Sequence, residues 1–281
     1  MRNVARLDGG GDPPSSISST SSTSASVRGG PSPNQLRNIF NIALINARSI
    51  VPKLDSLYEC QNELENDVTI LTETWIKDSE NINKLLQDYE DRTGYAIICK
   101  DRTSTRGGGV AISFNKSRIQ MSRAPLTQLN FEVVAAIGRR TGQRRKVCVV
   151  AVYLRLWYPA ERTRRCLVYV NDCITILSSP DVDPYFYVGG DFNKKDVRRA
   201  TAHFPLIRTV TTPPTRGNNI LDDIATNNLP QLVDSGVTHP IANQHNIESD
   251  HKVVFASFRM PRVQPYSVNS YTKVCWTLDS G

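Results

Sequence analysis

At 281 residues the chain is long enough for one large α/β domain with a core that needs no disulfide or metal staple. Its 39% hydrophobic and 22% charged residues exclude a fibrous or wholly disordered protein, and no apolar run reaches the roughly 18 residues of a membrane span. Lys and Arg (34) outnumber Asp and Glu (27), and the net charge of +7 favours an acidic partner such as nucleic acid. The excess is concentrated at 139–146, 162–165 and 194–199, a pattern equally typical of solvated loops and helix faces.

Residues 1–38 read as a disordered tail: Gly9 to Gly11, Pro13-Pro14 and the Ser/Thr run to Ser26 offer no apolar face to bury. The tail lacks the apolar h-region of a signal peptide, and its Asp8, Asp12 and glycines argue against an organelle transit peptide. From Ile39 the pattern turns globular. Ile39 to Ile45 is a strand, Leu54, Leu57, Tyr58 and Leu64 recur at helical spacing, and Val68 to Thr72 is a second strand. Tyr95–Cys99 and Val110–Phe114 form an expected hairpin across Gly107-Gly108-Gly109. Phe131–Ile137 and Val147–Tyr153 form another, with the basic turn Arg139 to Lys146 between them. A helix is expected over Ala160–Leu177, a strand at Tyr185–Val188, a short helix within Lys194–His203, and strands at Ile220–Ala225 and Val253–Phe258. Residues 262–281 lose periodicity and read as a linker or truncated end. The order predicts an α/β fold, two packed mixed sheets with helices outside.

Six cysteines, Cys60, Cys99, Cys148, Cys166, Cys173 and Cys275, include no C-x-x-C pair, which removes a zinc ribbon and fits a reducing, intracellular compartment. The chemistry gathers at strand ends instead. Asn46 follows Leu44-Ile45, Glu73 follows Val68 to Thr72, Tyr153 closes Val147 to Val152, Asp191 and Asn193 follow Val188-Gly189-Gly190, and Asp250-His251 precede Val253-Val254. A strand's end places its side chain on the rim of a sheet, where a cleft forms. Singly these are ordinary caps, turns and core phenols; only their order and chemistry together carry a signal.

That order resembles the endonuclease/exonuclease/phosphatase superfamily. The matching pieces are Asn46-Ala47-Arg48-Ser49, Thr72-Glu73-Thr74-Trp75, Arg106 to Ala111, Ala151-Val152-Tyr153, Gly189-Gly190-Asp191-Phe192-Asn193, Thr215 to Asp222 and Ser249-Asp250-His251. The first and sixth pieces are more similar to the endonuclease domains of non-LTR retrotransposons than to other branches. The resemblance implies a four-layer α/β sandwich over 39–261 and Mg²⁺-dependent phosphodiester hydrolysis, with Mn²⁺ as the alternative ion. Glu73 would be the main metal ligand, with Asp250 and Asn46 sharing it. Asp191 would align or deprotonate the attacking water, and Asn193 would hold the phosphate or that water. His251, fixed by Asp222, would donate to the phosphoryl oxygen, and Tyr153 would place a phenol on the developing charge. The expected DNA contacts are Arg106, Arg139, Arg140, Arg144, Arg145, Arg216 and Asn218.

The implied activity is nicking of duplex DNA in the nucleus by a monomeric domain, with a reverse transcriptase downstream and no membrane partner. The rivals are the same chemistry on another phosphate ester, and a decayed fragment that only binds nucleic acid. Three departures stand out. Arg48 replaces an expected acid, Asp223 occupies a strand position expected to be apolar, and Leu154 to Trp157 replaces a Pro-rich turn. Because adjacent strand residues face opposite ways, Asp223 is expected to point away from the cleft that Asp222 faces.

Overall fold

The computed structural model describes residues 38–261, except 78, 101–106, 127–128, 179–183, 196–207, 211–212 and 239–248. The expected tail, the segment from 262, Arg106 and nearly all of the short helix at 194–203 therefore lie outside the described residues.

Two six-stranded sheets pack face to face. The first contains β1 (Ile39–Asn46), β2 (Val68–Thr72), β3 (Tyr95–Cys99), β4 (Val110–Asn115), β11 (Leu232–Thr238) and β12 (Val253–Arg259), in the order β11-β12-β1-β2-β4-β3. The second contains β5 (Ile119–Arg123), β6 (Val133–Arg140), β7 (Val147–Tyr153), β8 (Tyr185–Asp191), β9 (Arg208–Thr209) and β10 (Asp222–Thr226), in the order β5-β6-β7-β8-β10-β9. Each is built on one parallel pair, β1 with β2 and β7 with β8, and its other pairings are antiparallel. A parallel pair needs a crossover. Helix α1 (Leu54–Glu63) supplies the first and α3 (Ala160–Leu177) the second, while α2 (Glu80–Thr93) links β2 to β3.

Burial follows strand alternation. Ile42, Leu44, Ile70, Val149, Ala151, Tyr187 and Ile224 fill the space between the sheets. The opposite face of the first sheet, with Ala43, Ile45 and Leu71, meets Leu57, Cys60 and Tyr89 of the helices, and that of the second, with Cys148, Val150 and Val188, meets Cys166, Val170 and Cys173 of α3. The result is the expected four-layer sandwich. No disulfide joins the described cysteines, and no described helix is long and apolar enough to cross a membrane.

Helix α2 and the edge strands β5, β9 and β11 exceed the expectation. Helix α2 starts at Ser79, whose hydroxyl accepts the Ile82 N–H at 3.3 Å, and stops at Gly94, whose positive φ of 75° suits glycine. It docks through Tyr89, which donates to Gln61 at 2.7 Å while Gln61 donates to Thr69 at 3.0 Å, so the buried polar atoms are partnered.

Candidate active site

Parallel pairing brings the ends of β1 and β2 to one rim, and those of β7 and β8 to the same rim of the other sheet. The antiparallel strand β10 begins there, with Asp222 directly opposite Asp191, and the segment before β12 returns there with His251. Gly190 makes the β7–β8 approach possible, since a Cβ on it would lie 1.8 Å from the Val152 carbonyl oxygen.

The segment around Glu73 is clamped on both sides. Ala47, Ser49 and Ile50 N–H groups donate to the carbonyls of Thr72, Glu73 and Thr74 at 2.8–3.0 Å. On the other side Trp75 N–H donates to Gly108 at 3.0 Å, in a glycine loop with φ above 80° throughout. Glu73 itself has φ 50°, and Arg48, Ser49, Trp75, Asn193 and Lys194 also have positive φ. Of the described non-glycine residues in that conformation, only Glu65 lies elsewhere. Such strain persists where surrounding bonds fix it, and it concentrates at functional sites.

The side chains meet across the two sheets. Asn46 Nδ2 donates to Glu73 Oε1 at 3.2 Å and to Asp191 Oδ2 at 3.0 Å. The Tyr153 hydroxyl donates to Glu73 Oε1 at 3.1 Å. Asp191 Oδ1 accepts the Asn193 N–H at 3.0 Å, and Asn193 Nδ2 donates to the Leu154 carbonyl at 2.8 Å. His251 Nδ1 lies 2.7 Å from Asp222 Oδ2, both side chains buried. Thr215 stitches the last pieces together: its hydroxyl accepts the N–H of Leu221 and Asp222, and its carbonyl accepts that of Lys252.

Burial, then the charge of neighbouring Asp222, pushes Asp191 up to about 7, although His251 and the Asn193 N–H pull the other way. A carboxylate titrating there is a base poised near neutral pH. Burial by itself would lower His251. The hydrogen bond and charge of Asp222, with Asp191 and Asp250 behind it, more than reverse that and hold the imidazole above its ordinary value. Burial first, then the charges of Glu73 and Asp191, keeps Tyr153 a protonated phenol.

The donor set suits a hard cation. Asn46 Oδ1 is buried without a protein partner beside the Glu73 carboxylate, and Asp222 Oδ1 is likewise unpartnered. Carboxylate and amide oxygens are what Mg²⁺ or Mn²⁺ takes. Among the described residues, the cluster of three with metal-ligand chemistry is Asp191, Asp222 and His251. Asp250 stands on the same rim, its Oδ1 3.9 Å from His251 Nε2. It lies 2.5 Å from Arg216 and 3.5 Å from Arg48, so two guanidinium groups engage the carboxylate expected to share the ion.

The expected DNA contacts divide. Arg216 and the exposed Asn218 stand on the rim with the site, and Arg48 joins them unforeseen. The turn with Arg139, Arg140, Arg144 and Arg145 lies at the opposite end of the sandwich, where β6 stops and β7 starts. Arg140 is corrected outright. It is 6% exposed and bonds Asp67 at 3.1 Å and the Ile39 carbonyl at 2.7 Å, so it ties the sheets together and cannot face DNA. Arg145 rests on the Tyr185 ring at 4.0 Å.

The fold and rim define a class: the chain has the endonuclease/exonuclease/phosphatase fold. No protein-family model matches the sequence, and no curated protein sequence does either. Solved structures do. The endonuclease domain of TRAS1, a telomere-specific non-LTR retrotransposon, is similar over 79% of this chain and 99% of its own, at 13% identity and a TM-score of 0.58. The human Nocturnin catalytic domain matches over 80% of this chain and 94% of its own (15%, 0.58). An endonuclease/exonuclease/phosphatase protein of Bacteroides vulgatus matches over 79% and 99% (12%, 0.60). At these identities the likeness is one of fold.

Proposed function

We propose that this chain is a divalent-metal-dependent phosphodiester hydrolase that nicks duplex DNA, as an endonuclease of the non-LTR retrotransposon kind. The observation that carries the reading is the convergence of Asn46, Glu73, Tyr153, Asp191 and the Asp222–His251 pair on one rim, from six strands or strand-flanking segments of both sheets. Glu73 and Asn46 would hold the ion. Bound Mg²⁺ supplies neutralisation of the phosphate and of the departing oxygen.

Asp191 takes the proton of the attacking water, which Asn193 helps to place. Charged His251, oriented by Asp222, donates from Nε2 to a phosphoryl oxygen as negative charge grows there. Tyr153 keeps its proton and donates it as a hydrogen bond. The P–O3′ bond breaks, the departing O3′ takes a proton from solvent, and the products are a 5′-phosphate and a 3′-hydroxyl able to prime reverse transcription. DNA as substrate is supported by the charge of +7, the rim residues Arg48, Arg216 and Asn218, and the likeness to TRAS1. The domain would act as a monomer on nuclear DNA beside a reverse transcriptase.

Supercoiled plasmid incubated with the full chain and Mg²⁺ should be nicked, and chelator should stop it. Glu73→Ala and His251→Ala should each lower the rate at least ~10²-fold, the scale of losing an electrostatic contact to the transition state, with unchanged circular dichroism. Full nicking by both variants would falsify the site. Nicking of no duplex, with hydrolysis of small phosphate esters intact, would favour a non-DNA substrate, and loss of both a decayed fragment.

A further inference from the structure

The turn that follows Tyr153 is built like a wedge. Leu154 is fully buried, its N–H donating to the Asp191 carbonyl at 3.0 Å and its carbonyl accepting from Asn193 at 2.8 Å. Arg155 is fixed by both oxygens of Glu132, at 2.5 and 3.3 Å. Tyr158 closes a four-residue turn through its N–H to the Arg155 carbonyl at 3.0 Å, and its own ring is 4% exposed beneath the Arg162 guanidinium. Both ends of the turn are therefore anchored, one of them directly on the backbone of the active site.

The two residues at its tip are Leu156 and Trp157, 66% and 67% exposed, the highest values for large apolar side chains among the described residues. Turn tips ordinarily carry Gly, Asn, Asp or Ser. Here an anchored turn holds a leucine and an indole out in water, and the indole is braced edge-on against Tyr158 at 5.1 Å. On the far side of β8, in the loop before β10, Ile220 is also about half exposed. Apolar prongs thus flank the end of the strand that carries Asp191.

We infer that Leu156 and Trp157 form an intercalating wedge that unstacks a base step beside the scissile phosphate and stacks the indole on the exposed nucleobase. This rests on the DNA-hydrolase reading given above. Shape selects the ligand: a convex tip cannot enclose a small molecule, which needs a concave site, and two side chains are far below the roughly 1,000 Å² of a stable protein interface. An apolar wedge between base steps kinks a duplex, and an indole face accepts any base. Reach agrees. Leu156 stands three positions after Tyr153, at most about 10 Å of chain, which is about three nucleotides along a B-form strand. The wedge therefore selects deformable pyrimidine–purine steps over stiff A-tracts.

The test uses the full chain and two duplexes, one with a TA step and one with an A-tract at the nick site. Trp157→Ala should raise KM for the TA duplex roughly 5- to 150-fold, the range of losing one base–aromatic stack, with a much smaller change in kcat, and should erase the preference between duplexes. Trp157→Phe should restore most of both. In a Glu73→Ala background, which leaves the duplex uncut, DNA should quench tryptophan emission, and Trp157→Phe should remove that quench. Equal nicking of both duplexes by wild type and Trp157→Ala, without quenching, would overturn the wedge while leaving the hydrolase intact. Failure of the unmodified chain to nick counts against the hydrolase instead, and the quenching arm still decides the wedge.

Discussion

Asp191 is the residue where function and stability conflict. Its carboxyl is buried beside Asp222 and titrates at about 7, against an ordinary 3.8. Between those values the native chain keeps a proton that the unfolded chain has released, so stability falls as pH rises from about 4 to 7. His251, also raised, contributes in the same direction: its stabilisation is complete below the ordinary histidine value and is lost as pH climbs through the folded one. The metal-free chain should therefore melt at a lower temperature at pH 8 than at pH 5. Asp191→Asn cannot ionise and should flatten that decline, gaining about 2–4 kcal/mol at pH 8 while nicking falls ~10²-fold or more. A melting profile unchanged by the substitution would show that Asp191 is not the raised group.

Asp223, next to the His251 partner, separates what the sequence disclosed from what it concealed. Its expected direction is right: Asp222 meets His251, and Asp223 lies on the opposite face of β10, half-exposed, its Oδ1 accepting the Ile224 N–H at 2.8 Å. Asp223 carries little of the cost of a buried acid, because it is half-exposed. Asp223→Leu should change stability by less than ~1 kcal/mol and leave nicking intact, whereas Asp222→Ala should abolish nicking. The reverse pattern would move the histidine's partner by one residue. Strand-end chemistry was legible because each polar residue interrupts an apolar run. The link between Asp250 and two arginines was not, since Arg48, Arg216 and Asp250 lie 34 or more residues apart and no local pattern relates them.

At the scale of elements, legibility followed burial. Strands β1, β2, β7 and β8 are almost wholly buried, and their sequences are predominantly apolar. The edge strands β5 and β11 bury little and carry polar residues, so they leave no alternation to read. Helix α2 fully buries only Tyr89, although Ser79 and Gly94 mark both its ends. The 139–146 turn shows the opposite error, a charge run read as one surface when strand pairing had already turned Arg140 inward. Arg140→Ala leaves Asp67 buried without its counter-ion and should cost about 3–5 kcal/mol, read as a shifted denaturation midpoint. A loss below ~1 kcal/mol would return Arg140 to the surface.

Among the described residues, two groups of arginines stand at opposite poles of the sandwich. The active rim carries Arg48 and Arg216, while Arg139, Arg144 and Arg145 sit at the far end. Duplex affinity should fall with salt, and Arg48→Ala with Arg216→Ala should each reduce the log–log slope by roughly 0.9 if that side chain meets a phosphate. Neutralising Arg139, Arg144 and Arg145 together should leave it unchanged. A slope that responds to the far cluster alone would place DNA on the other pole.

Strand β1 enters and β12 leaves side by side: Ile39 pairs with Arg259, and the Met260 N–H donates to the Asn38 carbonyl at 2.7 Å. Both connections emerge at the pole farthest from His251, about 25 Å away along an eight-residue strand. On the DNA-nicking proposal, a polymerase joined at either of these strand ends would start about a sandwich's length from the new 3′ end, and the nicked strand would have to be handed across that span before synthesis begins.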